Sequence, residues 1–271
     1  MTNGEGVDRL DRVNILAFVL GVPQEEVLIN FDRRLDDETA YHISTLLRER
    51  GRGKPLAYIT RTKEFFSEPF FVDERVLIPR PDTETLVESA LEILNKNKDM
   101  ESILDMGTGS GAIGLIIAKK TGKHVVCVDI SLEALEVAKK NSRDLGVWNS
   151  VDFVCSDLFG GTRREKKFDM VVANLPYVAP AEWDSLMRDV RVYEPRKALD
   201  GGTGGAAVYR KFIEELPNHL KIGGCILCEI GGVGRAEQVR EMLRAAGFSV
   251  ATKKDLSGNE RVLIGSWISL S

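Results

Sequence analysis

Apolar residues recur at three- and four-residue spacing through the first fifty positions, at Leu10, Val13, Leu16, Ala17 and Leu20, and again at Ile43, Leu46 and Leu47. That period belongs to helices that bury one face. Breaks at Gly21-Val22-Pro23, at Asp36-Asp37 and at Gly51-Arg52-Gly53-Lys54-Pro55 divide the region into several short helices, too small for a large catalytic core. Residues 64–78 then change to aromatic and β-branched runs, Phe65-Phe66 and Phe70-Phe71-Val72, around Ser67-Glu68-Pro69. This predicts a β-hairpin, which Pro79-Arg80-Pro81 ends.

From residue 83 onward the pattern alternates. A helix over 83–94 leads to a strand over 102–106, a helix over 112–120, a strand over 125–129, a helix over 132–145 and strands over 151–155 and 170–173. A helix over 207–220, a strand over 225–230 and a helix over 235–246 follow. Such alternation predicts an α/β fold with a parallel sheet and crossover helices. The last two strands, 248–253 and 261–267, are separated by the turn-rich Asp255-Leu256-Ser257-Gly258-Asn259, so the sheet is expected to finish with an antiparallel pair. Three parts result: a helical domain over 1–62, a hairpin linker over 63–82 and the α/β domain over 83–271.

Composition narrows the function classes. Hydrophobic residues make up 43% and charged residues 29% of 271 positions, and no apolar run approaches the roughly 20 residues that span a bilayer. The first residues are polar, without a basic stretch leading into an apolar one, so a cytoplasmic location and no membrane contact are expected. A formal charge of -4 argues against a broad basic surface, and no direct nucleic-acid contact is expected. A monomer is expected. The four cysteines, Cys127, Cys155, Cys225 and Cys228, each lie in an apolar strand-like run, where thiols are usually buried and structural. Cys225 and Cys228 are three apart in a strand and so point to opposite faces. With no second pair and no histidine cluster, no metal is expected.

Candidate chemistry begins at Asp105-Met106-Gly107-Thr108-Gly109-Ser110-Gly111, between the first strand of the α/β domain and its helix. Glycines there let backbone approach a ligand. Read from Gly109, the segment also fits the dinucleotide pattern G-x-G-x-x-G. Asp129 closes the next strand, where its carboxylate can accept both hydroxyls of a ribose, a group that NAD and S-adenosylmethionine share. The spacing from Asp105 to the glycines and the antiparallel end of the sheet resemble class I S-adenosylmethionine-dependent methyltransferases. An NAD-linked oxidoreductase lacks any obvious acid for hydride transfer.

Asn174-Leu175-Pro176-Tyr177 follows the apolar run Met170-Val171-Val172-Ala173. In open α/β sheets, ligands bind beyond the carboxyl ends of the strands. An asparagine oxygen beside the Leu175 carbonyl supplies two acceptors for a planar, weakly nucleophilic amide nitrogen, and Tyr177 can cover that group. Taken alone, the tetrapeptide fits an ordinary turn at a strand end equally well.

Several segments together resemble the protein-(glutamine-N5) methyltransferases of peptide chain release factors, the PrmC or HemK family. They are residues 75–84 (RVLIPRPDTE), the glycine loop, Asn174 to Tyr177, residues 193–202 (YEPRKALDGG) and residues 254–262 (KDLSGNERV). The resemblance spans nearly the whole chain. It implies a class I methyltransferase domain with a Rossmann-like sheet, preceded by a small helical bundle that contacts the release factor. It also implies S-adenosylmethionine as cofactor, with S-adenosylhomocysteine as product. Gly107, Thr108, Gly109, Ser110 and Gly111 would wrap the methionine portion, Asp129 would hold the ribose, and Asp157 and Leu158 would lie near the adenine. Asn174, which would also border the cofactor, and the Leu175 carbonyl would accept hydrogen bonds from the substrate glutamine, while Pro176 and Tyr177 shape its slot.

Leu175 departs from the family's usual Asn-Pro-Pro-Tyr. Asn-Leu-Pro-Tyr is typical of rRNA adenine dimethyltransferases, which makes RNA methylation the alternative. The acidic charge and the segments at 75–84 and 194–202 favour the protein substrate. A methyltransferase-like protein that binds a partner without catalysis is a third reading. Arg188, Arg191 and Arg196, in the long segment after Tyr177, receive no catalytic role.

Overall fold

The computed structural model describes residues 6–29, 34–162, 166–231 and 234–267. Four helices come first: α1 (Arg9–Leu20), α2 (Gln24–Ile29), α3 (Asp37–Gly51) and α4 (Leu56–Thr60). Local signals set their ends. Asp8 and Asp36 accept from Leu10 N–H and Thr39 N–H at the starts of α1 and α3, and left-handed Gly21 ends α1. Val13, Ala17 and Val27 form a small core between the first two helices. Lys54 to Ile59 is a turn running into α4, whose buried Tyr58 donates to the Val76 carbonyl at 2.6 Å, so the stretch braces the bundle against the linker.

A hairpin of β1 (Thr62–Phe65) and β2 (Glu68–Phe71) turns at Phe66 and Ser67, both left-handed. Phe65 and Phe70 meet edge to face at 6.0 Å and join the core of the α/β domain. After α5 (Glu84–Lys96) come β3 (Ser102–Met106), α6 (Ala112–Thr121), β4 (His124–Asp129), α7 (Leu132–Asp144), β5 (Val151–Cys155) and β6 (Phe168–Ala173). The chain continues through α8 (Arg188–Tyr193), α9 (Ala207–Glu215), β7 (Leu220–Glu229), α10 (Arg235–Ala245), β8 (Phe248–Lys254) and β9 (Glu260–Trp267).

Seven strands form one sheet in the order β5-β4-β3-β6-β7-β9-β8. The first five are parallel, and β9 runs antiparallel to both β7 and β8, as expected of the final pair. Side chains alternate between two cores. Met170 and Val172 pack with α5 to α7 and the hairpin, whereas Val171 and Ala173 pack with α9 and α10. Cys225 and Cys228 divide in the same way between the two faces. From β3 the strands step outward to β4 and β5, then return to β6 on the other side. This reversal opens a crevice at the carboxyl ends of β3 and β6, where Met106 lies opposite Ala173.

Two expectations are corrected. The helix expected over 207–220 ends at Glu215, because Pro217 has no N–H to continue it; a 3-10 turn follows, and Leu220 already belongs to β7, opposite Phe168. Cys155 is exposed rather than buried, since it ends β5, an edge strand of the sheet. Among the described residues no helix is long and apolar enough to cross a membrane.

Candidate active site

The glycine loop leaves β3 through three left-handed residues, Gly107, Gly109 and Gly111. Gly107 and Gly111 are hemmed in: a β-carbon would meet the Leu175 side chain at 3.0 Å or that of Leu115 at 2.6 Å. At Gly109 the same direction is open. Asp105 supports the loop from beneath, fully buried, and accepts from the Thr108 hydroxyl at 2.6 Å and Gly114 N–H at 2.9 Å. Burial pushes its carboxyl up to about 6, against the lowering effect of those two bonds. Its Oδ1 is buried with no hydrogen-bond partner among the described residues.

Asp129, at the end of β4, reaches back to this loop. One carboxylate oxygen accepts from Gly109 N–H at 2.8 Å and the other from Ser131 N–H at 2.9 Å, ahead of α7. The acid therefore holds both loops, and each oxygen retains a further lone-pair direction. Burial raises its pKa, with the hydrogen bonds opposing. The exposed side chain of Ile130 follows directly. Ser156 N–H donates to the Asp129 carbonyl at 2.8 Å, which brings the end of β5 alongside. Asp157 there is exposed and paired with Lys211 at 2.6 Å. Leu158 is buried with φ +50, and Phe159 is packed inward between Phe212 and His219.

Across the crevice, Asn174 leaves β6 half-buried. Its Nδ2 donates to Glu229 at 2.9 Å, at the end of neighbouring β7, and lies 3.4 Å from the Thr83 hydroxyl. The Leu175 side chain is buried in the core against Gly107, so leucine instead of proline fills a packing position. Leu175 N–H donates to the Tyr209 hydroxyl at 3.3 Å, which donates to the Glu229 carbonyl at 2.5 Å. Glu229 is almost wholly buried, and burial pushes its carboxyl up to about 7 despite the Thr83 hydroxyl and Arg261.

Tyr177 lies against a bed of glycines. A β-carbon on Gly231 would strike its ring, and one on Gly201 would come within 2.7 Å of its Cα. Val178 makes a parallel bridge to Asp200 through Val178 N–H to Leu199 and Gly201 N–H to Val178, at 2.8 and 2.9 Å. Arg235 stands over the tyrosine ring at 5.7 Å and grips Glu182 at 2.6 and 2.7 Å. Burial raises the Tyr177 phenol, reinforced by the charge of Glu229. The other segments singled out in the sequence meet behind this wall. Buried Glu194 accepts from Arg80 and from Ile78 N–H, and Arg261 pairs with Asp82 at 2.9 Å and Asp255 at 3.0 Å. Arg188 reaches the Arg52 carbonyl, Arg191 pairs with Asp184, and Arg196 stands over Trp183, so all three have structural partners.

The family model described as "PrmC N-terminal domain" matches residues 2–60, and "Methyltransferase small domain" matches residues 83–214. A release factor glutamine methyltransferase of Rhodopirellula baltica is 37% identical over 96% of this chain and 90% of its own length. That of Bacillus cereus is 36% identical, covering 92% and 89%. The chain belongs to the release factor glutamine methyltransferase family. Its fold recurs in a methyltransferase from Pyrococcus furiosus with a TM-score of 0.55 at 21% identity, covering 76% of this chain and 92% of that one.

Membership of a release factor glutamine methyltransferase family and the class I fold imply use of S-adenosylmethionine. The residues present fit that group: an open glycine at position 109, an acid closing β4 beside an exposed apolar side chain, and an orphaned buried carboxylate oxygen on Asp105. No cluster of three or more metal-ligating side chains occurs among the described residues. Glu229, Thr83, Tyr209 and Ile130 carried no functional expectation from sequence. Only the neighbouring ends of β6 and β7 bring Glu229 to Asn174.

Proposed function

We propose that the protein transfers a methyl group from S-adenosylmethionine to the side-chain amide nitrogen of the glutamine in the Gly-Gly-Gln motif of peptide chain release factors. The observation that carries this reading is Asn174 at the sheet's crevice with its Nδ2 already engaged by Glu229, which leaves Oδ1 for a substrate N–H. S-adenosylmethionine supplies a methyl group made electrophilic by a sulfonium. The chain's work is then to hold a poor nucleophile in line, and positioning of this kind contributes about 7 to 11 kcal/mol in favourable cases.

Gly107 to Gly111 take the methionine portion of the cofactor in this scheme, Asp129 the ribose, and Ile130, Asp157 and Leu158 border the adenine. Asn174 Oδ1 and the Leu175 carbonyl accept from the two amide hydrogens and stabilise them as nitrogen gains positive charge. Pro176 and Tyr177 form the slot. The proton leaves to water without a dedicated base. The helices before residue 62 dock the release factor, and residues 63–82 join them to the catalytic domain.

Incubation with labelled S-adenosylmethionine tests the assignment against purified release factor, its motif Gln→Ala variant and rRNA. Label is expected in the unaltered release factor alone. Label in rRNA but not in protein overturns the reading. Asn174→Ala is expected to abolish nearly all transfer while calorimetry still detects cofactor binding.

A further inference from the structure

Glu229 is an acid placed where catalysis needs none. It is 2% exposed, and its side chain faces the one carboxamide on which the proposed reaction depends. We propose that Glu229 is a positioning residue that sets the polarity of Asn174, turning its oxygen to the slot and so admitting an amide rather than a carboxylate as methyl acceptor. The inference rests on the reading of the protein as a glutamine methyltransferase.

An asparagine carboxamide is nearly symmetric in shape but opposite in hydrogen-bonding sense at its two ends, so packing alone does not choose which end faces a ligand. An ionised carboxylate is acceptor-only and can take only the Nδ2 end. Glu229 Oε2 receives that end at 2.9 Å, with the Thr83 hydroxyl 3.4 Å from the same nitrogen. Oδ1 then lies at the other end of a rigid planar group, suited to the N–H groups of a glutamine and unsuited to the oxygens of a glutamate. A site built to pair with one polar group rejects the analogue that leaves its own groups unpaired.

Glu229 is itself held at several points. Its carbonyl accepts from the Tyr209 hydroxyl, the group that also receives Leu175 N–H, and its residue is paired with Val262 of β9. Burial favours the neutral acid, and the charged groups around it act against or with that effect. Arg261 of β9 and Arg80 of the linker favour ionisation, Asp82 ahead of α5 opposes it, and the phenol of Tyr177 stands on the slot side.

The test compares Glu229→Leu and Glu229→Gln with the parent protein. Glu229→Leu should lower kcat by about tenfold to a hundredfold, the range implied by loss of one buried hydrogen bond, with the calorimetric Kd for S-adenosylmethionine within about threefold of the parent's. Glu229→Gln, whose amide offers a donor as well as an acceptor and so no longer forces the choice, should recover only part of that loss. A release factor bearing Gln→Glu in its motif should inhibit Glu229→Leu more strongly than it inhibits the parent. Equal inhibition overturns the proposal, as does a kcat loss matched by loss of cofactor binding.

If Glu229→Leu does not fold, the pH profile decides. Parent turnover should fall as pH drops through about 7, where burial holds the Glu229 carboxyl, and Glu229→Gln should lack that limb. Identical limbs overturn the proposal. Absence of transfer by the parent protein overturns instead the functional reading beneath it.

Discussion

Gly231 lies so close to Tyr177 that a β-carbon there would stand 2.6 Å from the ring's Cζ. The wall of the proposed substrate slot is thus shaped by the absence of a side chain at Gly231 as much as by the aromatic residue after β6. Gly231→Ala should displace the ring at a cost of about 1 to 3 kcal/mol, the usual range for overpacking. Steady-state kinetics should show the loss in turnover on release factor, with cofactor affinity little changed. An unaltered kcat would refute this account of the wall.

Asp129 holds Gly109 N–H and Ser131 N–H at once, so its removal loosens the glycine loop proposed to hold the cofactor as well as deleting an acceptor. Asp129→Ala should weaken S-adenosylmethionine by at least about tenfold, from the loss of charge-assisted hydrogen bonds. Calorimetry measures this directly. Lys211→Ala, which removes the exposed partner of Asp157, should change the same Kd by less than about threefold.

Burial holds Asp105 at about 6 and Glu229 at about 7, above ordinary carboxyls near 3.8 and 4.5. The folded protein therefore binds these protons more tightly than the unfolded chain. Their contribution to stability is fully present below about pH 4 and is lost as pH rises through 6 and 7. Asp105→Asn removes one share, so its urea midpoint should decline less steeply than the parent's between about pH 4 and 6. Parallel curves would count against a neutral-favouring site at Asp105.

Arg80 is the charged partner of Glu194, whose side chain is 1% exposed. Arg80→Met leaves that carboxylate buried and uncompensated, at a cost of up to about 3 kcal/mol, toward the low end for such losses because Arg80 is itself partly exposed. Adding Glu194→Gln should recover part of the deficit in urea unfolding. A double variant no more stable than Arg80→Met would argue that packing, not charge, joins the two segments.

The strands of the α/β domain were legible because parallel strands are buried on both faces and read as short apolar runs, as 102–106 and 125–129 do. The end of α9 was not. Apolar spacing continues from Phe212 through Leu220, while Pro217 and the pairing of Leu220 with Phe168 stop the helix. At the site, Asn174, Asp129 and the loop glycines announce themselves because each ends a strand in a recognisable pattern. Glu229 is a single acid within an apolar run, and its meaning comes from a neighbour 55 positions away. The same holds for Arg80 with Glu194 and Arg261 with Asp82, whose pairing no local pattern encodes.

The placement of β9 between β7 and β8 bears on when the site can form. Glu229 and its neighbours on β7 acquire their second strand partner from residues 262–266, and Arg261 fastens the linker through Asp82. During synthesis the glycine loop and Asn174 leave the ribosome well before these residues do. The wall behind Asn174 is therefore completed only as the final hairpin inserts, so a nascent chain can assemble the β3–β4 side of the crevice, proposed to take the cofactor, before the β6–β7 side, proposed to take the methyl acceptor.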